Sequence, residues 1–278
     1  MKKPLEEMRD DQSIELLKEL HILTRDGKIN QDSRRKLKQV YHLYNFIEPL
    51  LFDLQKNNAK LTLVDHGAGK SYLGFIIYDL FYKAILEGQI YCIETRDELI
   101  KKSLELQTKL GFERMSFLNV SVADSTTSDK IPEKVDIVTA LHACDTATDD
   151  AIDFALAKSA KHLVLVPCCQ AEVAKHLREN KSKHLASPLA EIWRHPIHTR
   201  EFGSHITNVL RCLRLEAHGY KVTATELVGF EHSMKNELIV ATKIENPRKR
   251  QADRLKWILE ELHLTELEKR FSSSAGNI

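Results

Sequence analysis

Residues 61–73 read LTLVDHGAGKSYL: an apolar run, an acid, a Gly-Ala-Gly turn and the start of an apolar helical segment. Two kinds of nucleotide-binding loop share parts of this pattern. A phosphate-cradling loop requires its first glycine at position 64, but that residue is Val64, inside the apolar run. A dinucleotide fingerprint requires a third glycine where the chain has Tyr72. The sequence therefore argues against ATP hydrolysis. An NAD-linked oxidoreductase remains an alternative, although the third glycine of its fingerprint is missing.

The same stretch fits a nucleoside that carries an amino acid and no phosphate. Asp65 places an acceptor for a cationic amino group at the end of a strand, and Gly67 can adopt backbone angles closed to other residues. Without a side chain at Gly69, a ligand can lie against the main chain. Glu94 ends the next apolar run, about where an acid binds the two hydroxyls of a ribose, and Asp124 follows the third, able to accept from an adenine amino group. Together these features predict S-adenosylmethionine as the cofactor.

Apolar runs alternate with helical segments from residue 60 onward, which predicts an α/β fold with a parallel sheet covered on both faces. The apolar runs are 61–65, 89–95, 115–124, 135–142 and 162–169. The helical segments between and after them are Tyr72 to Leu86, Glu98 to Leu110, Asp149 to Lys158, Ala171 to Glu179, Ile206 to His218 and Arg250 to Leu264. Two last strands, 221–230 and 236–244, are joined by too few residues for a crossover helix, so they should pair antiparallel. We expect a Rossmann-like, mostly parallel seven-stranded sheet with a closing antiparallel strand.

Three regions are predicted along the chain. Residues 1–58 have helical periodicity and should form an N-terminal helical extension lying over the crevice of the sheet. Residues 59–246 should form the cofactor-binding domain, and residues 247–278 a C-terminal helix with a flexible tail.

Composition limits the classes of partner. The 278 residues carry a formal charge of +1, so a polyanion has to be bound by a local patch, and the basic clusters at 34–38 and 248–254 are the candidates. No apolar run approaches the ~20 residues of a membrane-spanning helix, so we expect no membrane association. The 5 cysteines lack the spacing of a disulfide framework, which is typical of a cytoplasmic protein. The oligomeric state is left open.

Several motifs resemble those of one protein family. Residues 60–243 resemble the class I, Rossmann-like, S-adenosylmethionine-dependent methyltransferases, although Ser71 replaces the usual third glycine of their first loop. One branch of that family has a first loop Cys-Gly-Lys-Ser-Tyr-Leu, close to residues 68–73 here, and shares the motifs LHACDTATD (141–149) and PCCQ (167–170). A variant of the last two motifs also occurs in eukaryotic tRNA ribose 2′-O-methyltransferases, whose zinc-binding elements are not visible in this chain.

The resemblance implies methyl transfer to a nucleophilic oxygen or nitrogen, with tRNA or rRNA as the implied substrate. A small molecule or a protein side chain is an alternative acceptor, and a non-catalytic binding protein with the same fold is a further alternative. The resemblance also implies that the HSMKN segment at 232–236 belongs to the substrate site, because it is similar to a His-Thr-Pro-Lys-Asn element of the branch.

All of these motifs follow strands, so they should meet at the carboxyl edge of the sheet. His142 and Asp145 are the catalytic candidates, as groups that take a proton from the acceptor. The predicted cofactor-binding residues are Asp65, Gly67, Gly69, Lys70, Ser71, Glu94, Asp124 and Leu141. The predicted substrate residues are Cys168, Gln170, His232, Lys235 and Asn236.

Structural alternatives stand beside these roles. The structural alternative for His142 is a hydrogen bond at a strand end, and the structural alternative for Asp145 is a position ahead of a helix. Lys70 and Ser71 either start a helix or contact the methionine carboxylate. Cys168 and Cys169 are adjacent and should point to opposite faces, so they cannot readily bind one ion, and we predict no metal site.

Overall fold

The computed structural model describes residues 8–141, 143–168, 170–180, 188–227, 237–244 and 246–272. Within them, seven strands form one sheet in the order β3-β2-β1-β4-β5-β7-β6. The strands are β1 (Thr62–His66), β2 (Gln89–Glu94), β3 (Met115–Asn119), β4 (Ile137–Ala140), β5 (His162–Leu165), β6 (Tyr220–Glu226) and β7 (Glu237–Lys243). The first five run parallel, and β7 lies antiparallel between β5 and β6. The predicted Rossmann-like sheet with its closing antiparallel strand is confirmed.

Ten α-helices are present in the described part of the chain: α1 (Ile14–Glu19), α2 (Gln31–Gln55), α3 (Tyr72–Leu80), α4 (Asp97–Leu110), α5 (Val122–Ser125), α6 (Ala147–Ala157), α7 (Glu172–Glu179), α8 (Pro196–Ala217), α9 (Lys249–Glu261) and α10 (Glu268–Phe271). Short 3-10 helices cover Tyr82–Ala84, Pro188–Arg194 and Thr265–Leu267. None of the helices in the described ranges combines the length and the apolar character that a bilayer crossing requires.

The central position of β1 follows from its composition. All five residues of this strand are buried, as expected for a parallel strand covered on both faces. It pairs with β2 on one side and β4 on the other, so that Asp65 lies beside Cys92 and Thr139. The register thus places an acid in the middle of the sheet, at the carboxyl end of its central strand.

The N-terminal helices pack onto the same apolar core as one face of the sheet. In α2, a helical stripe that includes Leu37, Tyr44 and Leu51 is buried. The buried Asp79 on α3 anchors the start of this region, because its Oδ2 accepts hydrogen bonds from the Ser13 amide at 2.7 Å and from the Gln12 side chain. The division into three regions at residues 58 and 246 stays a prediction.

Several predicted element boundaries are wrong, and the largest error is at α8, which is expected to begin at Ile206 and begins at Pro196. The helix expected to reach Leu86 ends at Leu80 and continues as a 3-10 turn. The third strand, expected to reach Asp124, ends at Asn119, because Ser121 caps α5 by accepting a hydrogen bond from the Asp124 amide at 3.0 Å. Asp124 therefore sits in a short helix beyond the strand. The loop expected between β6 and β7 lies outside the described residues.

Candidate functional site

The carboxyl ends of the parallel strands meet at one edge of the sheet, and hydrogen bonds link the loops that leave them. The Gly69 amide, after β1, donates to Glu94 Oε2 at the end of β2 over 2.8 Å. The Asp145 amide, after β4, donates to the Cys168 carbonyl after β5 over 3.1 Å. The first bond joins the loops after β1 and β2, the second joins the loops after β4 and β5, and Leu141, after β4, lines the same cavity as Asp65 and Gly67.

The loop after β1 turns sharply through three residues in the left-handed region, Gly67, Gly69 and Ser71, whose φ angles are 63°, 59° and 55°. The two glycines adopt these angles without strain, as the sequence pattern indicates. Ser71 is buried beneath the loop. Burial raises the pKa of the Cys92 thiol, and a hydrogen bond with Ser71 partly offsets this, so the Ser71 side chain faces the β2 core.

Asp65 is a buried carboxylic acid at the foot of this loop, only 2% exposed. Burial raises the pKa of Asp65 to about 7, against the effect of a hydrogen bond from Thr139 Oγ1 to Asp65 Oδ1 at 2.7 Å. A cation placed beside Asp65 would lower this pKa again and keep the carboxylate ionised. The site is therefore suited to a ligand that brings a positive charge.

A cavity of about 290 Å³ opens at Asp65. One wall is the glycine turn with Leu141, and the opposite wall is the N-terminal helix α2, which contributes Lys36 and Gln39. The complete lining is Ile22, Lys36, Gln39, Val40, Asp65, Gly67, Ala68, Lys70, Tyr72, Leu73 and Leu141. The cavity approaches the size of ordinary small-molecule sites. A larger cavity of about 430 Å³ adjoins it, sharing Lys70 and Tyr72 and extending between α1 and α4.

Glu94, at the end of β2, is almost fully buried and strongly hydrogen-bonded. Its Oε1 accepts from the Thr95 and Arg96 amides, each at 3.0 Å, and Arg96 also binds both carboxylate oxygens through its guanidinium. Burial alone would raise the pKa of Glu94. The bonds from Arg96 and from the Gly69 amide outweigh burial and lower that pKa to about 2. Glu94 is thus a permanently ionised acceptor.

The remaining predicted cofactor residues occupy the edge of the crevice. Leu141 is buried and lines the Asp65 cavity, whereas Lys70 is exposed and lines both cavities. Asp124 is exposed, and its Oδ2 accepts from Ser121 Oγ at 2.6 Å. Because β3 ends at Asn119, the predicted cofactor-binding residue Asp124 does not lie at a strand end.

Asp145 has a structural role, but at a different helix from α6, the one that it precedes in sequence. Its Oδ1 accepts hydrogen bonds from the Ala171 and Glu172 amides at 2.9 and 3.3 Å, which caps the start of α7. The residue has a φ of 50°, in the left-handed region. Its use as a proton acceptor stays a prediction, and its catalytic companion His142 lies outside the described residues.

The PCCQ motif is divided between the crevice and the core. Cys168 faces Cys144 across an isolated parallel bridge, with 3.1 Å between the two Sγ atoms. Gln170 is buried and bonds inward, donating to Asn208 Oδ1 and accepting from Ser204 Oγ on α8, each at 3.1 Å. The other predicted substrate residues, His232, Lys235 and Asn236, lie outside the described residues.

Sequence reasoning missed the support beneath these loops. Arg211 on α8 is fully buried and binds both oxygens of Asp149, with Nε–Oδ1 and Nη2–Oδ2 distances of 2.9 and 2.6 Å. Its Nη2 also donates to the Asp145 carbonyl at 2.8 Å. The signal was present, because Arg211 and Arg214 interrupt an otherwise apolar stripe of α8 between Leu210 and Leu215. Arg96, two residues after Glu94, was also missed, because no sequence pattern indicates an ion pair between two residues at the end of a strand.

Such a sheet, with an acid-Gly-x-Gly turn after its central strand and an acid ending the next strand, defines a nucleoside-binding protein of the Rossmann-like class. The family described as "Methyltransferase domain" matches residues 35–176, about half of the chain. The chain belongs to this methyltransferase family, and with the sheet order given above it is an S-adenosylmethionine-dependent methyltransferase. A comparison with curated proteins finds no match.

Solved structures of low identity are similar to parts of the chain. A Methanococcus jannaschii fibrillarin pre-rRNA processing protein is 15% identical, over 67% of this chain and 67% of its own, with a TM-score of 0.43. Magnesium protoporphyrin IX methyltransferase from Synechocystis, solved with bound S-adenosylhomocysteine, is 13% identical over 82% and 93%, also with a TM-score of 0.43. TrmK from M. capricolum is 10% identical over 80% and 93%, with a TM-score of 0.42. At TM-scores below 0.5 these likenesses say nothing about the substrate or the site residues of this chain.

Proposed function

We propose that this methyltransferase modifies a nucleophilic oxygen or nitrogen of RNA, in tRNA or rRNA. The observation that carries the proposal is the Asp65 cavity, which is closed on one side by the cofactor turn and on the other by the basic start of α2. The motif kinship with tRNA ribose 2′-O-methyltransferases supports the same substrate class.

The residues present fit S-adenosylmethionine. The buried Asp65, with its raised pKa, would hold the cationic amino group, and Glu94, ionised at all working pH values, would hold the ribose. Leu141 would pack against the adenine and Asp124 would accept from its amino group. When bound, the cofactor supplies an activated methyl group on a sulfonium. The protein has to align the acceptor with it and exclude water.

Positive charge at the cavity mouth supports an anionic acceptor. Lys36 and Lys70 both line the cavity, from α2 and from the cofactor turn. Arg34, Arg35 and Lys38 are exposed on the same first turns of α2. Because the whole chain carries a formal charge of only +1, this local patch is where a phosphate backbone would be attracted.

Proton removal from the acceptor is assigned to the loop after β4. We place His142 there as the general base, since a histidine titrates near neutral pH. Asp145 would orient the acceptor while its Oδ1 caps α7. Cys168, with His232, Lys235 and Asn236 of the β6–β7 segment, completes the proposed substrate contacts, and Gln170, which bonds inward to α8, supports the loop that carries Cys168. A cytoplasmic location is part of the same proposal, from the cysteine pattern.

Transfer of tritium from labelled S-adenosylmethionine tests the substrate class. The acceptors are the RNA, protein and small-molecule fractions of a strain lacking the gene. We expect label in RNA, and Lys36→Glu should lower that transfer about tenfold while S-adenosylmethionine binding is kept, because the cavity rim loses a phosphate contact. Lys56→Glu, at the exposed far end of α2, is the matched control and should transfer normally. Label confined to the protein or small-molecule fraction would contradict the RNA assignment.

A further inference from the structure

The Glu94 carboxylate carries more hydrogen-bond donors than it can fully accommodate. Five N–H groups point at it: the Gly69, Thr95 and Arg96 amides and the Nε and Nη2 of Arg96, at 2.8 to 3.0 Å. A carboxylate offers about four acceptor positions. A ribose hydroxyl can therefore bind Glu94 only if some of the present donors leave.

The three amide donors belong to backbone that is fixed by the structure. They belong to Thr95 and Arg96, directly after β2, and to Gly69 in the turn after β1, so none of them can leave Glu94 by a change of side-chain rotamer. The Arg96 side chain is different, because it is 59% exposed and reaches Glu94 from the solvent side. Its departure would remove one donor from each carboxylate oxygen and leave three amides on about four acceptor positions, so that one position, on Oε2, opens for a ribose hydroxyl.

Arg96 also covers the turn on which a cofactor would lie. Its Nη2 is 3.7 Å from the position that a Cβ would take at Gly69. The guanidinium thus lies against the bare main chain that the glycine exposes. One side chain occupies both the carboxylate oxygens and the adjacent glycine surface.

We propose that Arg96 is a displaceable occupant of the ribose subsite, which competes with the cofactor's diol and so sets the affinity for cofactor and product. This rests on the proposed function. In the free protein Arg96 binds the buried Glu94 carboxylate, and on cofactor binding its guanidinium, already 59% exposed, moves to solvent while a ribose hydroxyl takes its place on the carboxylate. The arrangement favours release of the demethylated product, which has the same diol.

A ligand–variant cycle tests this by titration calorimetry. S-adenosylhomocysteine and its 2′,3′-dideoxy analogue are each titrated into the wild type and Arg96→Ala. We expect Arg96→Ala to bind S-adenosylhomocysteine about fivefold more tightly, equivalent to about 1 kcal/mol, because the competitor is gone. The dideoxy analogue should gain clearly less affinity from Arg96→Ala, because it meets Arg96 over Gly69 but does not compete with it for the Glu94 carboxylate.

Two controls keep the outcome specific. Lys101→Ala removes an exposed cation of α4 that pairs with Asp97 at 2.6 Å, and it should leave both affinities unchanged. Arg96→Lys keeps the positive charge but loses the planar guanidinium that binds both carboxylate oxygens. Its affinity for S-adenosylhomocysteine should lie between those of the wild type and Arg96→Ala. Weaker binding of S-adenosylhomocysteine by Arg96→Ala, or equal tightening of both ligands, would overturn the inference and leave the cofactor assignment intact. Failure of the wild type to bind S-adenosylhomocysteine would overturn the cofactor assignment, and the inference with it.

Discussion

Asp65→Asn should stabilise the free protein at neutral pH and weaken its cofactor binding. The side chain is buried, and burial raises the pKa of Asp65 from 3.8 to about 7. Moving the pKa that far costs at most about 4 kcal/mol once the group is ionised in the folded state. Asparagine has the same shape, can still accept from Thr139 Oγ1, and carries no charge to desolvate.

The pH dependence of the gain is set by the sign of the shift. Because the folded-state pKa lies above the unfolded one, the folded protein keeps the proton that the unfolded chain loses, and stability falls as pH rises between the two values. Between about pH 5 and about pH 8, the free energy of unfolding of the wild type should therefore fall by about 2.5 kcal/mol relative to that of Asp65→Asn. Other titratable groups, such as His66, are present in both proteins, so their contributions to the pH dependence cancel in this comparison.

Urea unfolding of both proteins at these two pH values measures the stability difference, and calorimetry with S-adenosylmethionine measures the affinity. We expect the free-energy gap in favour of Asp65→Asn to widen with pH, while the affinity drops about 100-fold through loss of a charged hydrogen bond. Asp53→Asn, at an exposed position on α2, is the control and should change neither quantity. A gap that is independent of pH would refute the raised pKa, and unchanged affinity would refute the role of Asp65 in binding the cofactor.

Three further perturbations test the packing around the site. Arg211→Met should lower the free energy of unfolding by about 3–5 kcal/mol, since it leaves the Asp149 carboxylate buried without its partner, and chemical denaturation would show little change if the pair were unimportant. Glutathione disulfide should link Cys144 to Cys168, releasing two glutathione thiols, because the sulfurs are 3.1 Å apart, and mass spectrometry that finds only glutathione adducts would contradict this geometry. Gly203→Ala should cost about 1–3 kcal/mol in thermal unfolding, because its Cβ would lie 2.7 Å from the Cβ of Ala174, and an unchanged melting temperature would count against the close α7–α8 contact.

The fold was predictable from sequence because its signals are local. Each parallel strand is a short apolar run of the kind that a doubly covered sheet requires, and β1 is buried at every position. The short link after β6 likewise indicated an antiparallel return, and β7 does pair antiparallel with β5 and β6. Element ends were less predictable. A single serine hydroxyl at Ser121 was enough to end the third strand early and start a helix.

The site was predictable only as far as its motifs follow strands. Asp65 and Glu94 could be placed by their position at strand ends, and both lie at the crevice. The roles of Asp145 and Gln170 as supports depend on α7 and α8, which meet them only through tertiary contacts. Arg96 pairs with Glu94 only two residues away, but its position over Gly69 comes from the fold around the turn.

A crystal structure of the protein with S-adenosylhomocysteine would show whether the nucleoside occupies the turn after β1. We expect the ligand beside Asp65 and Gly67, with a ribose hydroxyl on Glu94 and the Arg96 side chain turned away to solvent. Density for the nucleoside elsewhere, or for a nucleotide's phosphates in the turn between Gly67 and Gly69, would contradict the account.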